Sequence, residues 1–295
     1  MVINHRRNFT TNHTSPLFNI KAIVRDRLCW FMVNIIFIIS LLGCTIDLPG
    51  LFGSGDLGER WKERNNFKYL DTQDPISLDD NVGYSFIVLS DTHILDKNAF
   101  GFENFKDEIG SEDKFVVVLG DITQYGQRQD IEKFIEIAGT LGVPCYPVIG
   151  NHDVYQGNWP EWKEAIGSTC YRINGGGATL FILDSANAYF GNKQLDWLEK
   201  EIKTATGRVF TFSHSNLFVN SPLELQQFTD VRERARFLSI LKGRCDAMFW
   251  SHSHKRNVDK IGGIRYINIE DYKSTGIYCR VSVTNEGISW EFLKN

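Results

Sequence analysis

No Cys-x-x-Cys pair occurs among the six cysteines of this chain, which removes zinc ribbons and thioredoxin-like redox motifs from consideration. The serine-hydrolase elbow G-x-S-x-G is also absent. Gly175-Gly176-Gly177 lacks a following Lys-Ser/Thr, so it reads as a hairpin turn rather than a phosphate-cradling loop. Lys and Arg form no stripe interleaved with aromatics. Residues 1–43 carry Arg6, Arg7, Lys21, Arg25 and Arg27 against Asp26, a net +4 within a whole-chain −4, so the remainder stands at −8. A body of that sign repels nucleic-acid phosphates, and no nucleic-acid binding is expected. No internal repeat, low-complexity tract or linker divides residues 84–295.

Long apolar runs are scarce as well: one run, residues 28–42, is interrupted only by Asn34 and Ser40. Its length is near the upper limit for a signal-peptide core and short of a spanning helix. It ends in Leu41-Leu42-Gly43-Cys44, which resembles the lipobox of bacterial lipoproteins. That resemblance implies cleavage before Cys44, acylation of its thiol and an exported, membrane-tethered protein on the periplasmic or cell-surface side. Extension through Thr45 and Ile46 leaves an uncleaved anchor open. Either way the upstream positive charge stays cytoplasmic and the body is exported. Residues 1–43 are therefore expected to be a signal peptide or anchor, and residues 44–83, rich in Gly, Asp and Asn without sustained period, a tether and surface lead-in.

What the sequence does have is an ample core, with 42% apolar residues. From Tyr84 onward, apolar β-branched and aromatic runs at 86–89, 115–119, 145–149, 179–183, 209–212 and 247–250 predict strands buried on both faces. Between them Ile131, Phe134, Ile135, Ala138 and Leu141 recur at helical spacing, as do Leu195, Leu198 and Ile202, then Val231, Ala235, Leu238 and Leu241. Strand alternating with helix predicts an α/β fold. Residues 263–269 and 276–290 read as successive strands, predicting a second, partly antiparallel sheet. Cys145, Cys170, Cys245 and Cys279 are single and read as small buried hydrophobes. One or two disulfides stay open in an oxidising compartment. Trp159, Trp162, Trp197, Trp250 and Trp290 read as core or pocket-wall aromatics.

The polar clusters fall just past these runs: Ser90-Asp91-Thr92-His93, Gly120-Asp121, Gly150-Asn151-His152-Asp153, Ser213-His214-Ser215 and Ser251-His252-Ser253-His254. Carboxyl ends of strands are where open α/β sheets place ligands. Asp91, Asp121 and Asn151 are spaced at intervals of 30 residues, the length of a βαβ unit, so successive units return each cluster to one rim. All five histidines downstream of Cys44 lie in these clusters. Carboxylate and amide oxygens mixed with imidazoles suit Zn, Mn or Fe. Alternation along an extended segment would put Asp91 and His93 on one side, and likewise His252 and His254.

The order DxH, GD, GNHD, H and SHxH resembles the calcineurin-like metallophosphoesterase family over residues 84–295. The resemblance implies a four-layer sandwich, two mixed β-sheets flanked by helices, around two divalent or trivalent metal ions. It implies that Asp91, His93, Asp121 and His254 hold one ion and that Asp121 bridges to a second held by Asn151, His214 and His252. His152 matches the catalytic histidine that stabilises or protonates the leaving oxygen, with Asp153 orienting it. Phosphate-ester hydrolysis by a metal-bridging hydroxide is the implied reaction. Mono- and diesters both stay open. A catalytically silent scaffold on the same fold is the alternative.

Ser251 stands where the family usually has Gly, which would tighten the turn or add a hydroxyl near the site. The stretch Ile122-Thr123-Gln124-Tyr125-Gly126 departs from the GDxVDRG of serine/threonine protein phosphatases. Asp184, near a strand end, faces the site or plays a structural role. Substrate selectivity is expected in the loops at 94–113, 155–162, 186–192 and 217–229.

Overall fold

A computed structural model describes residues 56–218 and 230–295, all within the unit Leu48–Asn295. The apolar run, Cys44 and most of the 217–229 loop lie outside the described residues. Among the described residues no helix is long and apolar enough to cross a membrane.

Three parallel strands, β1 (Tyr84–Leu89), β2 (Asp113–Val118) and β3 (Cys145–Pro147), begin the first sheet. The second is built from β4 (Tyr171–Asn174), β5 (Ala178–Ile182), β6 (Arg208–Phe212), β7 (Ala247–Trp250), β8 (Asn257–Ile261) and β9 (Ile264–Asn268). β10 (Ile277–Thr284) and β11 (Gly287–Lys294) then return to the first sheet. Strand orders are β11-β10-β1-β2-β3 and β4-β5-β6-β7-β9-β8. The carboxyl-terminal strands are thus shared between the sheets: β8 and β9 extend the second, while β10 pairs antiparallel with β1, Val88 facing Cys279. Edge position explains this: β10 covers the otherwise unpaired side of β1.

Alternation along each central strand divides the core into layers. Phe86 and Val88 of β1 point between the sheets, where Phe86 stacks on Phe115 at 4.6 Å and Phe212 on Phe249 at 5.1 Å. Ile87 and Leu89 face the opposite way, onto Ile131 and Phe134 of α2 (Arg128–Ala138) and Trp162 of α3 (Trp159–Ala165), α1 being Leu57–Lys62. On the far side, Phe181 and Met248 meet Leu195 and Leu198 of α4 (Asn192–Glu201) and Phe237 and Leu241 of α5 (Val231–Leu241). The result is the helix-sheet-sheet-helix sandwich, with a last short helix, α6 (Tyr272–Thr275), after β9. The glycine triplet turns β4 into β5, Asn174 facing Thr179.

Part of the segment expected to be a surface lead-in is built into the body. Asp56 caps α1 by accepting from Gly58 N, and Arg60 is fully buried. Its Nε and Nη2 donate to Asp184 Oδ2 and Oδ1 at 2.6 and 2.9 Å. A buried guanidinium is tolerated only when matched in this bidentate way. Asp184 therefore takes the structural role. Cys145, Cys170, Cys245 and Cys279 are all free and buried.

Candidate metal centre

Each cluster leaves its strand at the carboxyl end, and the ends of β1, β2, β3, β6 and β7 share one rim. Backbone hydrogen bonds stitch the exits together: Asp91 N to Gly120 O, His93 N to Asp121 O, and Ser251 N to His214 O, at 2.9 to 3.1 Å. The motif glycines are required by these close approaches. A Cβ on Gly150 would lie 2.2 Å from Asp121 N, and one on Gly120, at φ +88°, would lie 2.8 Å from the His214 ring.

Asp91, His93, Asp121, His252 and His254 all have left-handed backbones, with φ between 44° and 68°. Such conformations are costly for non-glycine residues and concentrate at functional sites. They also replace the extended alternation expected for the two pairs. Asp91 and His93 still converge, but His252 and His254 part: His254 joins Asp91 and His93, while His252 joins Asp121 and His214. A third cluster brings His152 to His93 and Asp121.

The spacings match ligands around a cation. Donor atoms each about 2.1 Å from one ion lie roughly 3.0–3.4 Å apart in octahedral or tetrahedral arrangement. His214 Nε2 is 3.0 Å from Asn151 Oδ1, 3.1 Å from His252 Nδ1 and 3.2 Å from Asp121 Oδ2. His254 Nε2 lies 3.2 Å from Asp91 Oδ1, within that span, whereas His93 Nε2, at 3.7 Å, lies beyond it. Outer partners fix which atoms face inward. His214 Nδ1 donates to Leu119 O at 2.7 Å, which turns Nε2 inward, and Asn151 Nδ2 donates to the Tyr155 hydroxyl at 2.5 Å, which turns Oδ1 inward. Asp91 Oδ1 and His93 Nδ1 are buried without a hydrogen-bond partner. The donor set fits two metal ions.

Electrostatics in the metal-free site agree. Burial works to raise the carboxyl pKa values of Asp91 and Asp121. The surrounding imidazoles override it, chiefly His254 for Asp91 and His214 for Asp121, and hold both carboxyls well below the ordinary range. In return, and against burial, Asp121 lifts His214 and Asp91 lifts His254, each to about 9. Cations placed here would take over the role of those protons.

His152 N donates to Asp121 Oδ1 at 2.9 Å, its ring Nδ1 meets Gln124 O at 2.8 Å, and Nε2 lies 3.9 Å from Asp121 Oδ2. Gln124, and not Asp153, orients this ring. The Asp153 carboxylate instead accepts from Gly150 N at 2.9 Å and from Thr123 N at 2.8 Å, clamping two ligand turns together. Burial and the Asp121 charge push its pKa up to about 7. The turn of residues 150–153 points the Asp153 carboxylate back at its own backbone. Gln124, Tyr155 and Lys273, whose N donates to Asp91 O at 3.2 Å, were not singled out as supports by sequence reasoning. None belongs to a spaced motif.

The sequence pattern of the calcineurin-like phosphoesterases matches residues 84–256, more than half of the chain. The chain belongs to that family. No match was found among proteins of curated function. Among solved structures, a dimetal phosphatase from Danio rerio superposes with a TM-score of 0.56 at 13% identity, covering 75% of this chain and 99% of that one. A purple acid phosphatase from yellow lupin seeds gives 0.58 at 10% identity, covering 72% of this chain and 52% of that one. GAP50, the anchor in the inner membrane complex of Plasmodium, gives 0.53 at 15% identity, covering 72% and 84%. At such identities the likeness is one of fold.

Proposed function

We propose that the chain hydrolyses phosphate esters at a two-metal site, with Asp91, His93, Asp121 and His254 around one ion and Asp121, Asn151, His214 and His252 around the other. One observation carries this reading. With Nδ1–H of His214 given to Leu119 and Nδ2–H of Asn151 given to Tyr155, the inward His214 Nε2 and Asn151 Oδ1 face each other at 3.0 Å. Two lone pairs at that distance repel unless a cation or a proton lies between them. When bound, the ions supply charge neutralisation at the phosphoryl group and acidify the attacking water. His152, half-buried, is held by Gln124 so that Nε2 faces the site and delivers a proton to the leaving oxygen.

The scaffold alternative finds no support in the ligand set, because all seven positions keep a competent donor. Export and tethering through Cys44 or the apolar run remain part of the proposal, supported by the charge upstream of residue 28 and the lipobox-like sequence. Incorporation of labelled fatty acid, lost in Cys44→Ser, tests the lipidated form.

The full chain, stripped with chelator and reloaded with Mn, Zn or Fe, is expected to take up two ions and to cleave p-nitrophenyl phosphate or its bis ester. Two bound ions with no turnover of either ester would favour the scaffold. No uptake would sink the metal reading.

A further inference from the structure

We propose that Ser251 is a positioning residue for Asp91: its hydroxyl occupies one carboxylate oxygen and thereby reserves the other for a metal ion. The inference rests on the two-metal reading of the site.

Ser251 follows β7 and is fully buried. Its backbone is not left-handed, unlike that of His252 and His254, so nothing in the turn requires the glycine of the family pattern. The backbone N donates to His214 O at 2.9 Å. The side-chain Oγ makes a close contact with Asp91 Oδ2 and lies 2.8 Å from Ile269 O. A serine hydroxyl has one proton, and of these two acceptors the carboxylate is the stronger. Among the described residues no other hydroxyl or amide donates to Asp91 Oδ2.

The consequence concerns the second oxygen. Asp91 Oδ1 is buried without a hydrogen-bond partner and lies 3.2 Å from His254 Nε2. With Oδ2 held by Ser251, any rotation of the carboxylate that turned both oxygens toward the ion would break the hydroxyl contact. Asp91 is therefore held to present Oδ1 alone, a single-oxygen ligand, to the ion it shares with His93 and His254. With glycine at residue 251, neither oxygen of this fully buried carboxylate would have a hydroxyl partner. The effect is local, because the hydrogen-bond partners of Oγ are Asp91 and Ile269. The Ser251 hydroxyl thus acts on one metal position, while its backbone N–H, kept in any substitution at this residue other than proline, holds the His214 turn.

The test is Mn2+ titration of the metal-free full chain in detergent, wild type beside Ser251→Ala. The wild type is expected to bind two ions. In Ser251→Ala one of the two affinities should fall about 10–100-fold, the usual scale for losing an outer-shell partner, while the other stays within about threefold. Should the alanine variant not fold, Ser251→Gly takes its place and should show the same split. Two wild-type affinities in the variant, or equal weakening of both, would overturn the role given to Ser251 and leave the metal reading standing. A wild type that binds no Mn2+ would overturn both.

Discussion

The rim of the first sheet supplies Asp91, Asp121 and Asn151 together with His93, whereas the second sheet supplies imidazoles alone, His214, His252 and His254. Every oxygen donor, and with it all the negative charge of the ligand set, comes from β1, β2 and β3. These groups are buried. The imidazoles of the second sheet run from His214, with no exposed side-chain surface, to His254, whose side chain is 49% exposed. In the proposed site the first rim therefore provides the charge that attracts cations, and the second provides graded closure by imidazoles that become neutral once an ion is bound. That division explains why Asp121 sits where the halves meet, within reach of His152, His214 and His252.

The sharpest way to break the division is Asp121→Ala. Removal of the shared carboxylate should strip both ions and lower turnover by about 10³-fold or more, since metal ions supply several kcal/mol of charge stabilisation. Elemental analysis beside an ester assay reads both effects. Retention of two ions would mean that the halves do not depend on Asp121. His152→Ala comes next. It should reduce kcat by ~10²–10⁴-fold, the range for a proton-transfer group, with both ions kept. Loss of an ion would move His152 into the ligand set, as its proximity to His93 and Asp121 allows.

A smaller contrast separates the two ends of the second rim. Outer-shell changes alone weaken metal binding ~10–100-fold, so His214→Ala, which removes a buried ligand, should exceed about 100-fold. His254→Ala, where water can fill the open position, should stay near about 10-fold. Equal losses would show that exposure does not grade the ligands.

The first rim was also the more legible half. Asp91, Asp121 and Asn151 stand at 30-residue intervals because β1, β2 and β3 are successive parallel units of one sheet. Continuous apolar runs located these strands to within a few residues. The destination of β10 and β11 was not legible, because the pairing of an edge strand is decided by which neighbour needs cover and not by its own pattern. β8, Asn257–Ile261, is mostly polar and exposed, so it lacked the apolar signal used for the others. Arg60 gave none either: a single arginine in a polar stretch reads as solvated until Asp184, 124 residues away, is placed beside it. The same holds for Gln124 and Asp153, whose roles depend on where two turns point their side chains. The identity of the candidate ligands that the structure brings together was carried by the motifs. The left-handed backbone that aims five of these candidates was not.

The smallest expected effect, a pH slope, separates the halves by charge. In the metal-free protein burial works to lower the pKa values of His214 and His254, but Asp121 and Asp91 outweigh it and raise each to about 9. The ion pairs so formed stabilise the metal-free protein fully below the ordinary imidazole value of 6.5 and are lost as pH rises through about 9. Metal binding has the opposite sign, because a ligating imidazole must be neutral. At neutral pH each ion therefore displaces a proton, and apparent affinity should rise by up to about tenfold per pH unit for each proton released, levelling off near 9. Mn2+ titrations between about pH 6 and 8 measure the slope, and buffers of different ionisation enthalpy count the protons. His254→Ala should flatten the slope for one ion only, since the Asp91 and Asp121 carboxylates are already ionised throughout that range. A slope unchanged in that variant would place the displaced proton elsewhere and dissolve the distinction between a charged half and a titrating half.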